Sequence, residues 1–312
     1  MIQREMDDEG RRWYVLPNGE RRMSVTTILG HLKEDKTGLK YWQRKHNGRG
    51  DAADHRHLLW YMTYRGTMCH YQALKKFEDI FDSGDVMYGD GEREALGDIL
   101  AENTNKYKIY SVLKYQSEKR SFSGQYDDYE GTDGFDGVDN WEQYYQYEAD
   151  TTLSDLLWAD VDWFVDTFEE IMDKLGITEE SVISVEKYLF EDEYGFGGQC
   201  DLLYEDPDGN VVLADLKTSG GLRQKHVIQA SAYRKAVEAA DDIPVDTVDR
   251  MEVIRIHPDS RTYEIHSDQE ASENHTTKYW FKDKYGNWEY NNVEEQWEQF
   301  KELAEKAHGG EQ

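Results

Sequence analysis

Cysteine is nearly absent: the chain of 312 residues has two, Cys69 and Cys200. Two thiols cannot build a disulfide framework, a four-cysteine zinc site or an iron–sulfur cluster within this chain. Long apolar runs are missing as well. No stretch reaches the length a membrane-spanning helix requires, and the polar start MIQREMDDEG lacks the apolar centre of a secretory signal. The expectation is a soluble, cytoplasmic protein with no membrane partner. At this length it can bury a core large enough to fold without disulfide or structural metal.

Positive charge is also scarce. Lys and Arg number 36 against 65 Asp and Glu, a net charge of −29. A surface of that sign ordinarily repels nucleic acid. The chain is still aromatic-rich and periodic, unlike a disordered acidic segment. Adaptation to molar salt accounts for the imbalance, because the Debye length there falls to ~3 Å and global repulsion is screened. The interior of a haloarchaeon, or its virus, is such a setting. An acidic protein from an ordinary cytoplasm is the alternative.

Hydrophobic patterning outlines an α/β core. WYVLPNGERRMSVTTIL (13–29) reads as a hairpin turning at Pro17-Asn18-Gly19. Helical stretches follow at 38–62 and 65–81, the second placing His70, Leu74 and Phe77 on one face. Residues 83–150 have no period and read as an acidic irregular insertion or long solvated loop. Within it, Asp133, Asp136 and Asp139 lack the spacing of an EF-hand and are read as solvated acids rather than calcium ligands. Leu157, Val161, Phe164, Phe168, Ile171 and Leu175 mark an amphipathic helix within 151–176, stopped at Gly176. A strand at 181–190, a hairpin at 197–217, a helix at 226–240 and a hairpin around Asp259-Ser260 come next. A last helix at 290–307 puts Val293, Trp297, Phe300 and Leu303 on one face. There are no internal repeats. The order predicts one α/β domain over 1–312, a mixed sheet flanked by helices.

The chemistry concentrates in GGQCDLLYEDPDGNVVLADLKTS (197–219). Pro207, Asp208 and Gly209 form a three-residue hairpin loop with Gly209 in the left-handed position. Asp206 and Asn210 flank it. Counting five residues outward from each sets Asp201 opposite Asp215 on one face, and Lys217 shares that face by alternation. Two carboxylates held so, with the carbonyl of Leu216, suit Mg²⁺ or Mn²⁺. The ion would acidify a water and neutralise phosphate, while Lys217 orients that water or stabilises transition-state charge. Phosphodiester hydrolysis needs little more. Val211–Ala214 is apolar on both faces, as in a central strand, where an unpaired Asp-x-Lys is costly. A buried Asp215–Lys217 ion pair, or a strand end emerging into solvent, is the alternative from spacing alone.

The stretch resembles the PD-(D/E)xK nuclease superfamily in its RecB-like, lambda-exonuclease-like branch. The motifs are Gly198-Gln199-Cys200-Asp201, Asp215-Leu216-Lys217-Thr218 and, on the next helix, Gln229-Ala230-Ser231-Ala232-Tyr233. Upstream, SVTTIL (24–29) and Leu39-Lys40-Tyr41-Trp42 precede RGTMCH (65–70), which is similar to the family's Gly-Thr-x-x-His helix motif. The resemblance covers 12–80 and 180–270. It implies a restriction-endonuclease-like core carrying a helical and loop insertion. It also implies a metal-dependent DNA nuclease, most simply an exonuclease or end-processing enzyme of recombination, repair or viral replication. Asp201, Asp215 and Lys217 are then catalytic. His70 completes the metal set of Asp201, Asp215 and Leu216, with room for close approach left by Gly66 and Thr67 a turn back. Gln229 and Tyr233, four apart on one helical face, turn toward the site to position substrate or a carboxylate. Glu186 matches a recurrent acid near it.

Cys69 and Cys200 sit beside proposed ligands, but alternation puts Cys200 on the face opposite Asp201, and small buried hydrophobes are the plainer reading. His55 and His57 are two apart, do not face each other and have no assigned role. Lys40, Arg44, Lys45 and Arg49 with Tyr41 and Trp42, and Arg223, Lys225, Arg234 and Lys235 beyond the motif, could line a local groove for DNA; solvated faces balancing nearby acids are the alternative. A structure-specific endonuclease, a catalytically silent nucleic-acid-binding protein with the same fold and an acidic protein-interaction module are the rival functions.

Overall fold

The computed structural model describes residues 2–33, 36–49, 54–80, 112, 115–116, 149–219, 221–268, 277–279, 281–282, 288–289 and 293–309. The expected insertion at 83–150, with Asp133, Asp136 and Asp139, lies outside them apart from its few described positions.

Three short strands open the chain: β1 (Gln3–Met6), β2 (Arg12–Val15) and β3 (Arg21–Ser24). The β2–β3 hairpin and its turn are where the sequence places them; β1 has too little apolar pattern to signal itself. The second arm stops short of residue 29, because Ser24 caps a helix. Its side chain accepts the Thr27 N–H, and α1 (Val25–Leu29) begins there. After α2 (Thr37–Lys45), α3 (His55–Leu74) runs unbroken across what the sequence divides into two stretches. It starts at Asp54, whose carboxylate accepts the Arg56 N–H. Helix α4 (Ala149–Leu175) ends where expected, at Gly176 with φ +69°. Its six patterned residues are all buried.

Then come β4 (Val182–Glu191), β5 (Phe196–Glu205), β6 (Val211–Lys217), α5 (Gln224–Glu238), β7 (Arg250–His257) and β8 (Thr262–Ser267). Strand β9 (Thr277–Tyr279) joins the same sheet, β10 (Phe281–Lys282) and β11 (Trp288–Glu289) pair separately, and α6 (Val293–Gly309) closes the described chain. No helix among the described residues is long and apolar enough to cross a membrane.

The main sheet is mixed, in the order β1-β2-β3-β5-β6-β7-β8-β9, with β4 also paired to β5. Strands β3–β5, β6–β7 and β8–β9 run parallel and the other neighbours antiparallel. Helices cover both faces. One core joins α3 and α4 to Leu202, Tyr204, Val212, Ala214, Leu216 and Ile254. The other joins α1, α5 and α6 to Phe196, Leu203, Leu213, Met251 and Val253. The sheet is thus the middle of three layers, and β6 is apolar on both sides because both are covered.

Strand β5 carries the feature that matters for function. One edge pairs with β4 along its length, from Phe196 to Tyr204. The other is shared: β3 pairs with Phe196 and Gly197, and β6 pairs only from Leu202 onward. Between them, residues 198–201 have no strand on that side among the described residues. The sheet opens at the Gly-Gln-Cys-Asp motif.

Candidate metal centre

The hairpin loop forms as its residues dictate. Gly209 has φ +81° and donates its N–H to the Asp206 carbonyl at 2.9 Å, and the Asp206 N–H bonds the Asn210 carbonyl at 2.9 Å. The register pairs Glu205 with Val211 through Leu202 with Ala214. One more step sets Asp201 across from Asp215, as counted from the loop. There the strands part, and the Asp201 carboxylate takes the place of a backbone acceptor. Its Oδ2 accepts the Leu216 N–H at 2.6 Å.

Asp201 also meets residues from outside the hairpin. His70 of α3 approaches it, Nδ1 to Oδ2 3.7 Å, and Glu186 of β4 joins them. One ligand atom from each of His70, Glu186 and Asp201 lies within 4.8 Å of the others, and all three residues are half-buried or deeper. Two ligands each ~2.1 Å from one octahedral ion lie ~3.0 Å apart when adjacent and ~4.2 Å apart when opposite, so side-chain adjustments of well under an ångström to about one ångström would close this set around an ion. A nitrogen with two carboxylate oxygens is a donor set that suits a hard or borderline divalent cation.

Asp215 lies beside this group, close enough for the Asp201 charge to act on it, and is paired with Lys217. Alternation keeps Asp215 and Lys217 on the α5 side with Leu213, whereas His70 comes from α3 on the other side. Asp215 is 2% exposed and its Oδ2 lies 2.5 Å from Lys217 Nζ. Leu216, expected to offer its carbonyl, also meets Asp201 through its N–H.

The protonation pattern shows a centre short of positive charge. Burial, with the Asp201 charge beside it, pushes Glu186 up to about 8. Burial also lifts Asp215 to about 6, with Lys217 opposing and Asp201 adding. Burial works against charge on Asp201 too, but His70, Lys217 and the Leu216 N–H outweigh it and hold that carboxyl below its ordinary value. On His70 and Lys217 burial is again outweighed, by Asp201 and by Asp215 with Asp201, so both are raised. Carboxyl groups whose charged form is disfavoured in this way are what a divalent ion would relieve.

Glycines and neighbours explain the placement. Gly66, one turn before His70, lies so close to β6 that a Cβ there would stand 2.9 Å from Thr218 Oγ1. The His70 ring stacks on Phe164 of α4, centroids 6.4 Å apart. Buried Arg65 bonds Asp160 of α4 at 2.8 Å and Asp259 of the β7–β8 turn at 2.6 Å, which pins α3. These long-range pairs leave no sequence signal. Gln229 Nε2 donates to Tyr233 Oη at 2.8 Å, and the Tyr233 ring rests on Gly198. After burial and the neighbouring Tyr14, the Asp215 charge is the next largest cause raising the Tyr233 phenol. Tyr233 thus lies near Gly198 and Asp215.

The other expectations divide. Cys69 and Cys200 are buried in the two different cores, and burial pushes both thiols up. His55 Nδ1 meets the His46 carbonyl at 2.9 Å, a local structural contact. Arg234 and Lys235 are taken up by acids: Arg234 Nε lies 2.8 Å from Glu238, and Lys235 Nζ 3.5 Å from Glu238 and 3.4 Å from Glu294. Trp42 packs among His46, His55 and Tyr115. Tyr41 is 72% exposed, and none of the nine residues of α2 is buried. No known protein-family model matches the chain, and no curated protein matches it either.

Proposed function

We propose that the protein is a metal-dependent DNA nuclease of the PD-(D/E)xK kind, with a restriction-endonuclease-like core, acting on DNA ends. The observation that carries the reading is the convergence of His70, Glu186 and Asp201 beside the Asp215–Lys217 pair, at the point where the sheet opens. His70, Glu186 and Asp201 would hold Mg²⁺ or Mn²⁺, and the bound ion would acidify a water and neutralise charge on the scissile phosphate.

The chain's own groups supply the rest. Lys217 stays protonated because Asp215 and Asp201 raise it, so it serves as a fixed positive charge and donor toward the phosphate rather than as a base. Asp215, at about 6, holds that ammonium in place. Gln229 and Tyr233 brace the wall formed by Gly198. Basic residues beside the site would offer phosphate contacts despite the net charge of −29. Burial and then Lys217, Lys225 and Arg223 push His226 down to about 3. Its Nδ1 faces the Arg223 N–H at 3.2 Å, the contact an unprotonated nitrogen accepts. Helix α2 adds Lys40, Arg44, Lys45 and the exposed Tyr41, with no acid from Lys36 to Arg49. Cations with an open aromatic suit a single strand.

The test is digestion of end-labelled linear and closed circular DNA with Mn²⁺ at high salt. Wild type should release label from linear DNA and leave circles intact, and Lys217→Ala should leave both substrates intact. Nicking of circles would favour the structure-specific endonuclease. Equal digestion by wild type and Lys217→Ala would overturn the mechanism.

A further inference from the structure

Glu186 sits inside β4 with φ +48°, a backbone conformation that residues other than glycine rarely adopt. Such strain persists only where the surroundings fix it. The β4–β5 pairing flanks this residue, Val185 with Leu202 and Lys187 with Cys200, so Glu186 stands across from Asp201. Val185 faces the α3–α4 core, yet Leu189, four residues on, faces the α5–α6 core. The alternation reverses across Glu186. In a regular strand Glu186 would point away from Val185 and so away from His70; the reversal is what lets its carboxylate reach the cluster.

The Glu186 carbonyl accepts a hydrogen bond from Gln199 Nε2 at 3.0 Å. The Gln199 amide oxygen accepts in turn from Arg4 Nη2 on β1. Arg4 lies over the Tyr14 ring at 5.9 Å, and Tyr14 packs edge-on to Tyr188 and Phe190 of β4. One chain of contacts thus runs from β1 through β5 to the backbone of Glu186.

We propose that Gln199 is a positioning residue: anchored by Arg4, its amide locks the Glu186 backbone in the left-handed conformation that aims the carboxylate at His70 and Asp201. The inference rests on the metal-centre reading of those three residues. It assigns work to the second residue of the Gly-Gln-Cys-Asp motif and to an arginine from the N-terminal strand.

Calorimetric titration of the full chain with Mn²⁺ in molar KCl tests it. Gln199→Met, close in size but without the donor, should weaken Mn²⁺ binding about 10- to 100-fold, the usual effect of removing a group that orients a ligand. Arg4→Met should weaken it less. In a Glu186→Gln background, Gln199→Met should add nothing, because the residue it acts through no longer ligates. Unchanged affinity in Gln199→Met overturns the inference, as does a loss that persists undiminished in Glu186→Gln. Should Gln199→Met fail to fold, Arg4→Met decides in the same way. A merely structural role would lower the melting temperature and leave Mn²⁺ affinity alone. Wild type that takes up no Mn²⁺, or Asp201→Asn that binds like wild type, removes the metal centre itself, an outcome distinct from failure of the Gln199 variant alone.

Discussion

The ring of Tyr233 lies directly on Gly198: a Cβ at that position would come within 2.3 Å of Tyr233 Cε1. Only a residue without a side chain lets α5 close onto β5 at its unpaired edge. Gly198→Ala should therefore displace a buried ring and cost about 1–3 kcal/mol, the usual range for overpacking a core, read as a lower urea midpoint. Tyr233→Leu in the same chain should recover part of that loss, so the two effects will not add. Gly198→Ala as stable as wild type would show that the contact is absent.

Arg65 should matter to stability more than to chemistry. It is buried between Asp160, itself buried, and Asp259, which is partly buried. Arg65→Met removes a buried cation from both carboxylates, leaving Asp160 with Arg261, and breaking a buried pair in this way costs about 3–5 kcal/mol. Equilibrium unfolding should show a loss of that size. A change below about 1 kcal/mol would mean that the clamp does not hold α3.

Without metal, stability should fall as pH rises. Glu186 is raised from 4.5 to about 8 and Asp215 from 3.8 to about 6. A group raised in the folded state contributes stability below its unfolded value and loses it as pH climbs through the folded one. His70, raised above 6.5, acts in the same direction. The urea midpoint in EDTA should drop between pH 5 and pH 8, less steeply in Glu186→Gln. Mn²⁺ should raise the midpoint more at pH 8 than at pH 5, because fewer protons then compete for its ligands. A Glu186→Gln variant with the wild-type pH slope would contradict the assignment.

Helix α2 should contribute to DNA affinity and not to cleavage of bound DNA. Replacing Lys40, Arg44 and Lys45 by Gln removes up to three phosphate contacts, and each is worth about 0.7 in the logarithmic salt slope for single strands. The slope should fall by ~2, with kcat unchanged. Tyr41→Ala should weaken binding by about 1–3 kcal/mol, the range for one stacked base. Fluorescence anisotropy with single-stranded oligonucleotides at several salt concentrations reads both, and unaltered slope and affinity would exclude α2 as a contact.

How much of this was legible in the sequence depends on the range over which each feature is set. The loop at 207–209 and the register it imposes are local, and Pro207 with Gly209 suffices to read them. The α4 stripe from Leu157 to Leu175 is equally local. Asp201 was found, but not its departure from the ladder, because the edge it loses is shared by β3 and β6, strands far apart in the chain. The shared face of Asp215 and Lys217 follows from strand alternation and is legible in the same stretch. Glu186 drew attention as a recurrent acid, yet its positive φ has no residue-type signal, since the strained position is not a glycine. Arg4, Gln199 and Arg65 act through partners 95 to 195 residues away, beyond any pattern of spacing.

Anomalous diffraction from crystals soaked in Mn²⁺ tests the metal centre most directly. The expected result is a peak about 2.0–2.4 Å from a ring nitrogen of His70 and from carboxylate oxygens of Glu186 and Asp201, lost in Asp201→Asn. Mn²⁺ bound elsewhere on the chain with none between these three side chains would contradict it.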